Sequence, residues 1–302
     1  MRQSYFIYSS FYNHNSDYLD NNNNDNNPSC PTEQLISGKC KYSEVRSPLS
    51  CTGPFLFRDT DFSKCIYTGN GGAICYVTSG GTLSITSCTF NSCSCSSSGG
   101  DGNGGGAIYA SSLSKIEITS SIFLSCNCTG SCDGAAVELY HISYQPLVTR
   151  CDFLYCSADD DGGGLSIWYS SASNLFSCNN CRFVVCTVPN IYKSEISAGG
   201  GLSVWANSVI FQYSNLLFSS NEGWKGGSYA SDKYTEAPNY LFSFCFFNHN
   251  TGTYGNDMYI TSLPLDSPLL HCFSASLPEG IRYWNGEIWM RAYVDWFFLY
   301  TS

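Results

Sequence analysis

The side chains able to do chemistry are mostly thiols. Eighteen cysteines are spread over 302 residues. Cys65, Cys93, Cys126, Cys156 and Cys186 each lie three positions after a phenylalanine, and Cys88, Cys151, Cys181 and Cys245 lie two before one. Thiols at this density point to an oxidising compartment. Three fates stay open for them: reduced apolar filler, disulfides within or between turns, and metal ligation. Cys178-Asn-Asn-Cys181 is the only Cys-x-x-Cys and has no partner pair, while His14, His141, His249 and His271 are scattered. No structural zinc, no other metal and no cofactor is therefore expected.

Carboxylates are the other candidates. Asp159, Asp160 and Asp161 stand together before a glycine run, which reads as a solvated turn, with weak Ca²⁺ binding as the sharper alternative. Gly-Gly-Asp-Gly-Asn-Gly-Gly-Gly at 99–106 resembles one calcium-binding nonapeptide, but such sites need tandem copies. Glu138 is expected to be the only acid in its column, between Tyr109 and Ile167, and Asp152 to pair with Arg182 at the surface. Acid–base or Ca²⁺-assisted cleavage of a polymer needs converging groups, so a catalytic site is not expected.

Columns exist because the chain repeats. Phe62, Phe90, Phe123, Phe153, Phe183, Phe218 and Phe247 each begin a Phe-x-x-(Cys or Asn), at intervals of 28, 33, 30, 30, 35 and 29 residues. Pairs of small residues alternate with them: Gly72-Ala73, Gly106-Ala107, Ala135-Ala136, Gly164-Leu165, Gly201-Leu202, Gly227-Ser228 and Asn256-Asp257. The segment from each pair to the next Phe is nearly constant in length, and insertions collect between Phe and the next pair. Leu83, Ile116, Pro146, Phe176, Phe211 and Tyr240 fall seven before a Phe. Ile85, Ile118, Val148, Cys178, Tyr213 and Phe242 fall five before. Two apolar positions at period 2 describe a strand with one buried face. One such unit cannot bury its own apolar side, whereas stacked units can. The chain is thus expected to be all-β, a parallel β-helix or solenoid of about seven coils with the seven Phe as its repeat core.

Gly-Gly-Ala-Ile at 71–74 and 105–108, alternating with Phe-Ser-Ser-Asn at 218–221 and Phe-Asn-His-Asn at 247–250, resembles the paired repeats of polymorphic outer-membrane (Pmp)-like proteins, with the Cys-rich surface proteins of parasitic protists the nearer likeness. The resemblance covers about 55–260. It implies a right-handed, pectin-lyase-like β-helix and a role in surface adhesion. Five of the seven Phe-x-x-Asn copies end in Cys instead, and the bacterial autotransporter mechanism does not carry over.

The remaining sequence bounds the function. A net charge of −10 disfavours a nucleic-acid partner. No apolar stretch reaches the length of a transmembrane helix, and no clear signal-peptide core is read at the start. Residues 1–29 read as a disordered Asn-rich leader, 30–54 as an N-terminal cap, 55–260 as the repeats, and 261–302, with eight aromatics in 281–300, as a C-terminal cap. Binding is expected at the variable corner, in inserts 94–104 and 187–199. The second contains Tyr192 and Lys193, and Asp159, Asp160 and Asp161 share the corner. Asn127, in Asn-Cys-Thr, is a candidate glycosylation acceptor. Together these features lead to an expected non-catalytic cell-surface or secreted protein that binds a host-cell or extracellular protein or glycan. The alternative is a polysaccharide lyase or glycoside hydrolase of the same fold.

Overall fold

A computed structural model describes residues 54–77, 79–96, 104–130, 132–142, 144–169, 175–189, 199–206, 210–233, 239–253 and 257–260. It also describes short strands at 6–7, 34–41, 45–46, 270–274, 281–284, 287–290 and 297–298. Among these residues the regular structure is entirely β, with parallel strands stacked as a solenoid of about six turns. The difference from seven is one of counting, since seven Phe positions enclose six coil-to-coil steps.

Each coil runs through the same stations. In the coil of Phe123, Ile108–Ser111 joins a ten-stranded sheet, and Lys115–Thr119 and Ile122–Leu124 join two stacks that merge into a sixteen-stranded sheet. Asn127–Thr129 then joins a four-stranded sheet. The Phe column pairs in register throughout. Its rings stack nearly parallel, with centroids 4.7, 4.9, 4.9, 4.7, 5.0 and 4.9 Å apart. That spacing is the inter-strand distance of a β-sheet, so one ring per coil fills the interior without gaps. The positions five and seven before each Phe pair as the period-2 pattern requires, with Ile118 between Ile85 and Val148 and Phe211 between Phe176 and Tyr240.

Two bends per coil are made the same way. One residue adopts a left-handed backbone, and the next turns inward. At the second bend, Ser92, Ser125, Tyr155, Val185, Ser220 and His249 all have φ between +51° and +55°. A β-branched Val and a bulky Tyr avoid this region on their own, so the stack imposes it. The inward residue then bonds the adjoining coil. Asn221 donates to the Phe183 carbonyl at 2.9 Å and accepts the Cys186 N–H at 2.8 Å, and Asn250 does the same to Phe218 and Asn221 at 3.3 and 3.0 Å. Cysteine keeps the donor half, weakly: Cys93, Cys126, Cys156 and Cys186 point their thiols at the carbonyls of Phe62, Phe90, Phe123 and Phe153. The first bend uses Ser121, whose hydroxyl accepts the Cys88 N–H, and Cys181, whose sulfur accepts that of Cys151. All these ladder cysteines are free thiols. Burial pushes Cys88 up to about 11 and raises Cys126, Cys151, Cys181 and Cys186 as well, which keeps those thiols neutral.

At the third corner the chain passes close to itself. A methyl on Gly72 would lie 2.1 Å from the Gly106 carbonyl, and one on Gly106 would lie 2.0 Å from that of Ala135. Here the register differs from expectation in two coils. Leu165 pairs with Val137 and with Leu202, which places Gly163-Gly164 and Gly200-Gly201 at the paired position, one residue earlier than expected. A triple glycine offers two choices of pair, and parity settles which one holds: Leu165 and Leu202 face the core with Ile108 and Val137.

Beyond the repeats, Gln34–Lys41 pairs in parallel with Phe55–Ser63, and Phe6–Ile7 pairs with Leu35–Ile36. Thus parts of the expected leader and cap continue the sheet. At the far end the pairing turns antiparallel, with Met258–Ile260 against Glu287–Met290 and the latter against Ile281–Trp284. An antiparallel partner ends the parallel stack on that side of the sheet.

Phe153 lies between two rings at 4.9 and 4.7 Å, so Phe153→Ala should destabilise by about 3–5 kcal/mol. Ile122→Ala, on a residue 41% exposed one position before Phe123, should cost under about 0.5 kcal/mol. Urea unfolding of the two variants measures the difference, and similar midpoints would contradict the stacked core.

Candidate functional site

The four-stranded sheet supplies the first cluster. Cys95 on Ser94–Ser96 pairs with Cys128 on Asn127–Thr129, and Cys132 follows four residues later. All three are at most 3% exposed and form a group separate from the main core. The Cys128 sulfur stands within bonding distance of both others, with Cα separations of 4.9 Å to Cys95 and 5.7 Å to Cys132. Gly104 closes the group: a methyl there would meet the sulfurs of Cys128, Cys132 and Cys95 at 3.0, 3.1 and 3.2 Å. Sequence reasoning missed this cluster because it followed the ladder cysteines. The signal was present in Cys-x-Cys at 93–95 and again at 126–128, offset by the same 33 residues as Phe90 and Phe123.

Carboxylates adjoin the sulfurs. The Gly104 N–H donates to Glu138, which is 1% exposed. Asp133 follows Cys132 directly and bridges to Asp161 in the next coil, while the Asp160 N–H donates to the Cys132 carbonyl at 3.2 Å. Burial and then the Asp133 charge raise Glu138, and burial and then the Asp160 charge raise Asp133. Neither Glu138 nor Asp133 is in an ion pair among the described residues. The expected solvated turn is corrected accordingly: Asp161 is 7% exposed, Asp159 and Asp160 are half-buried, and Asp159 accepts the Gly130 N–H at 2.7 Å. The coil below covers what the sequence presents as an open acidic run. Glu138 also lies beside Ser166, not Ile167, as the register correction requires.

The ten-stranded sheet turns a second group outward. Tyr140, Trp168 and Trp205 occupy one column, all half-buried. Trp168 pairs with Trp205, their rings 4.1 Å apart at 81°, and Tyr140 meets Trp168 at 5.3 Å and 65°. A bulge sets Tyr140 and His141 against Trp168, with His141 at φ +51° and its ring 4.2 Å from Tyr140. These rings form a ledge along the solenoid axis. Trp168 and Trp205 were legible as equivalents, each four residues past the corrected small pair, but the one-residue slip hid that their column faces outward.

The remaining predicted positions are placed as follows. The seven Phe are buried in the core. Asn127 is exposed on a strand between Ser94 and Ser157, not in a loop. Tyr192 and Lys193 lie outside the described residues, as do most of the two long inserts. Asp152 and Arg182 form a two-pronged surface ion pair, with Asp152 raising the Arg182 pKa. Cys178 and Cys181 are both core residues, so the Cys-x-x-Cys serves packing. Among the described residues the metal-competent group of thiols and carboxylates is Cys95, Cys128 and Cys132.

Comparison with protein-family models, with curated proteins and with solved structures finds no match.

Glu138 generates a prediction whose sign is fixed by burial. Its carboxyl is a weaker acid folded than unfolded, so the fold loses stability as pH rises above the unfolded value of about 4.3, by about 1.4 kcal/mol for each tenfold weakening. Glu138→Gln keeps an oxygen for Gly104 and removes that loss. In chelator-containing buffer the variant should melt several degrees above wild type at pH 8, with the gap closing toward pH 4. A variant melting below wild type at pH 8 would contradict the assignment.

Proposed function

We propose that the chain is a non-catalytic cell-surface or secreted β-solenoid protein with an adhesion or coat role, binding an extracellular protein or glycan. The observation that carries this reading is the Tyr140–Trp168–Trp205 ledge. Half-buried rings that meet edge to face along a rigid face offer weakly hydrated aromatic surface of the kind that sugar faces and protein hot spots use, and the stack below them cannot easily collapse to hide it. The Pmp-like likeness of the repeats and the cysteine count support export, and a right-handed, pectin-lyase-like wind belongs to the same proposal. Among the described residues no helix is long and apolar enough to cross a membrane.

A polysaccharide lyase or glycoside hydrolase of this fold would need carboxylates that a polymer can reach. Glu138, 1% exposed and roofed by Gly104, is out of reach of a chain-sized substrate, which favours the binding reading. The variable corner with Asp159, Asp160, Asp161, Tyr192 and Lys193 remains a secondary contact region under the same proposal.

Binding of the purified chain to immobilised glycans and to cell-surface protein extracts tests the reading. Trp168→Ala with Trp205→Ala should weaken the best ligand by at least roughly tenfold while the far-ultraviolet spectrum stays that of wild type. Binding unchanged by the double substitution would remove the ledge, and labelling by antibody only after cell permeabilisation would remove the surface role.

A further inference from the structure

Three sulfurs meet at one buried point, and the chemistry of a single sulfur limits what they can be. Cys128 is in reach of Cys95 and of Cys132, yet it can form only one disulfide, and either bond leaves the third thiol facing the pair. Cys95 and Cys132 are themselves 4.0 Å apart, and all three sulfurs fall within 4.8 Å of one another. Elsewhere in the described core, thiols are paired with carbonyl oxygens of their own or the preceding coil. In this group Cys132 also faces the Thr129 carbonyl, at 3.0 Å, but the three sulfurs converge on one another.

The surroundings favour positive charge. Glu138, 1% exposed, accepts the N–H of the Gly104 that roofs the sulfurs, Asp133 directly follows Cys132, and neither carboxylate is in an ion pair among the described residues. Buried carboxylates without a counter-charge are costly, and a bound cation is one of the few things that relieves them. The roof is a glycine whose missing side chain leaves room: a methyl on Gly104 would sit about 3 Å from each sulfur, at the place a shared ligand of the three would occupy. Thiolates select closed-shell, thiophilic cations over Ca²⁺ or Mg²⁺.

We propose that Cys95, Cys128 and Cys132 form a three-sulfur site for one thiophilic d¹⁰ cation, Zn²⁺ or Cu⁺, with Glu138 and Asp133 supplying negative charge around it. The site ties two neighbouring coils to the turn that follows them, at the corner where the chain carries its insertions. It stands independently of the adhesion reading, because a secreted, a surface and an intracellular solenoid would each fold around it.

The test uses the full chain, purified anaerobically with a phosphine reductant, loaded with Zn²⁺ or, separately, Cu⁺, desalted, and assayed for metal by mass spectrometry. About one equivalent should be retained, and at least tenfold less in Cys95→Ser/Cys128→Ser/Cys132→Ser, while Cys75→Ser retains the wild-type load. A second readout needs no variant: bound metal should slow alkylation of the three cysteines roughly tenfold relative to metal-free wild type and leave other sites unchanged. The proposal is overturned if wild type retains neither metal, if the triple variant retains as much as wild type, or if alkylation of these three residues ignores the metal. In the first case peptide mapping of air-oxidised protein should find Cys128 joined to Cys95 or to Cys132, a disulfide with a spare thiol.

Discussion

A parallel coil places every residue about one strand spacing from its counterpart in the next, so each position must tolerate contact with its own kind. Phenylalanine satisfies this at one interior station seven times, with ring separations of 4.7 to 5.0 Å that match the backbone pitch. Every other feature follows from keeping that pitch. Bends must be identical from coil to coil, which is why residues as unlike as Ser92, Tyr155 and Val185 share one left-handed backbone angle. The residue after each bend must serve the adjoining coil, which is why Asn, Ser and Cys occupy those places and large apolar residues mostly do not.

The same constraint builds the candidate sites. Outward positions also fall into columns, so an aromatic repeated at one outward station becomes a ledge, and a cysteine repeated beside the variable corner becomes a cluster once a third joins it from the following turn. Carboxylates on successive coils are likewise driven together. At Asp133 and Glu138 burial and a neighbouring carboxylate make the carboxyls weaker acids than an isolated surface loop would. Stacking therefore converts a linear repeat into concentrated chemistry without any long-range motif in the sequence.

Much of this was legible from residue order. The Phe intervals, the period-2 apolar positions before them and the Asp152–Arg182 neighbourhood all appear in the structure as read. The failures share a cause. Glycine runs at 162–164 and 199–201 carry no side-chain signal for which two residues make the corner, and one wrong choice inverted the faces of the following strand. That inversion paired Glu138 with Ile167 and concealed that the column of Trp168 and Trp205 faces outward. Asp159–Asp161 read as solvated because local composition does not reveal that the preceding coil covers them. Cys132 belongs to no column at all, so its meeting with Cys95 and Cys128 became visible only in three dimensions.

The stacking itself is tested most directly by the reactivity of its own cysteines. Brief alkylation of reduced native protein, quenched and mapped by mass spectrometry, should leave Cys65, Cys93, Cys126, Cys156 and Cys186 unmodified together, and label all five only once denaturant unfolds the chain. Native-state labelling of one or more of the five at the rate of an exposed thiol would contradict an inward ladder repeated from coil to coil, and with it the solenoid register on which both sites depend.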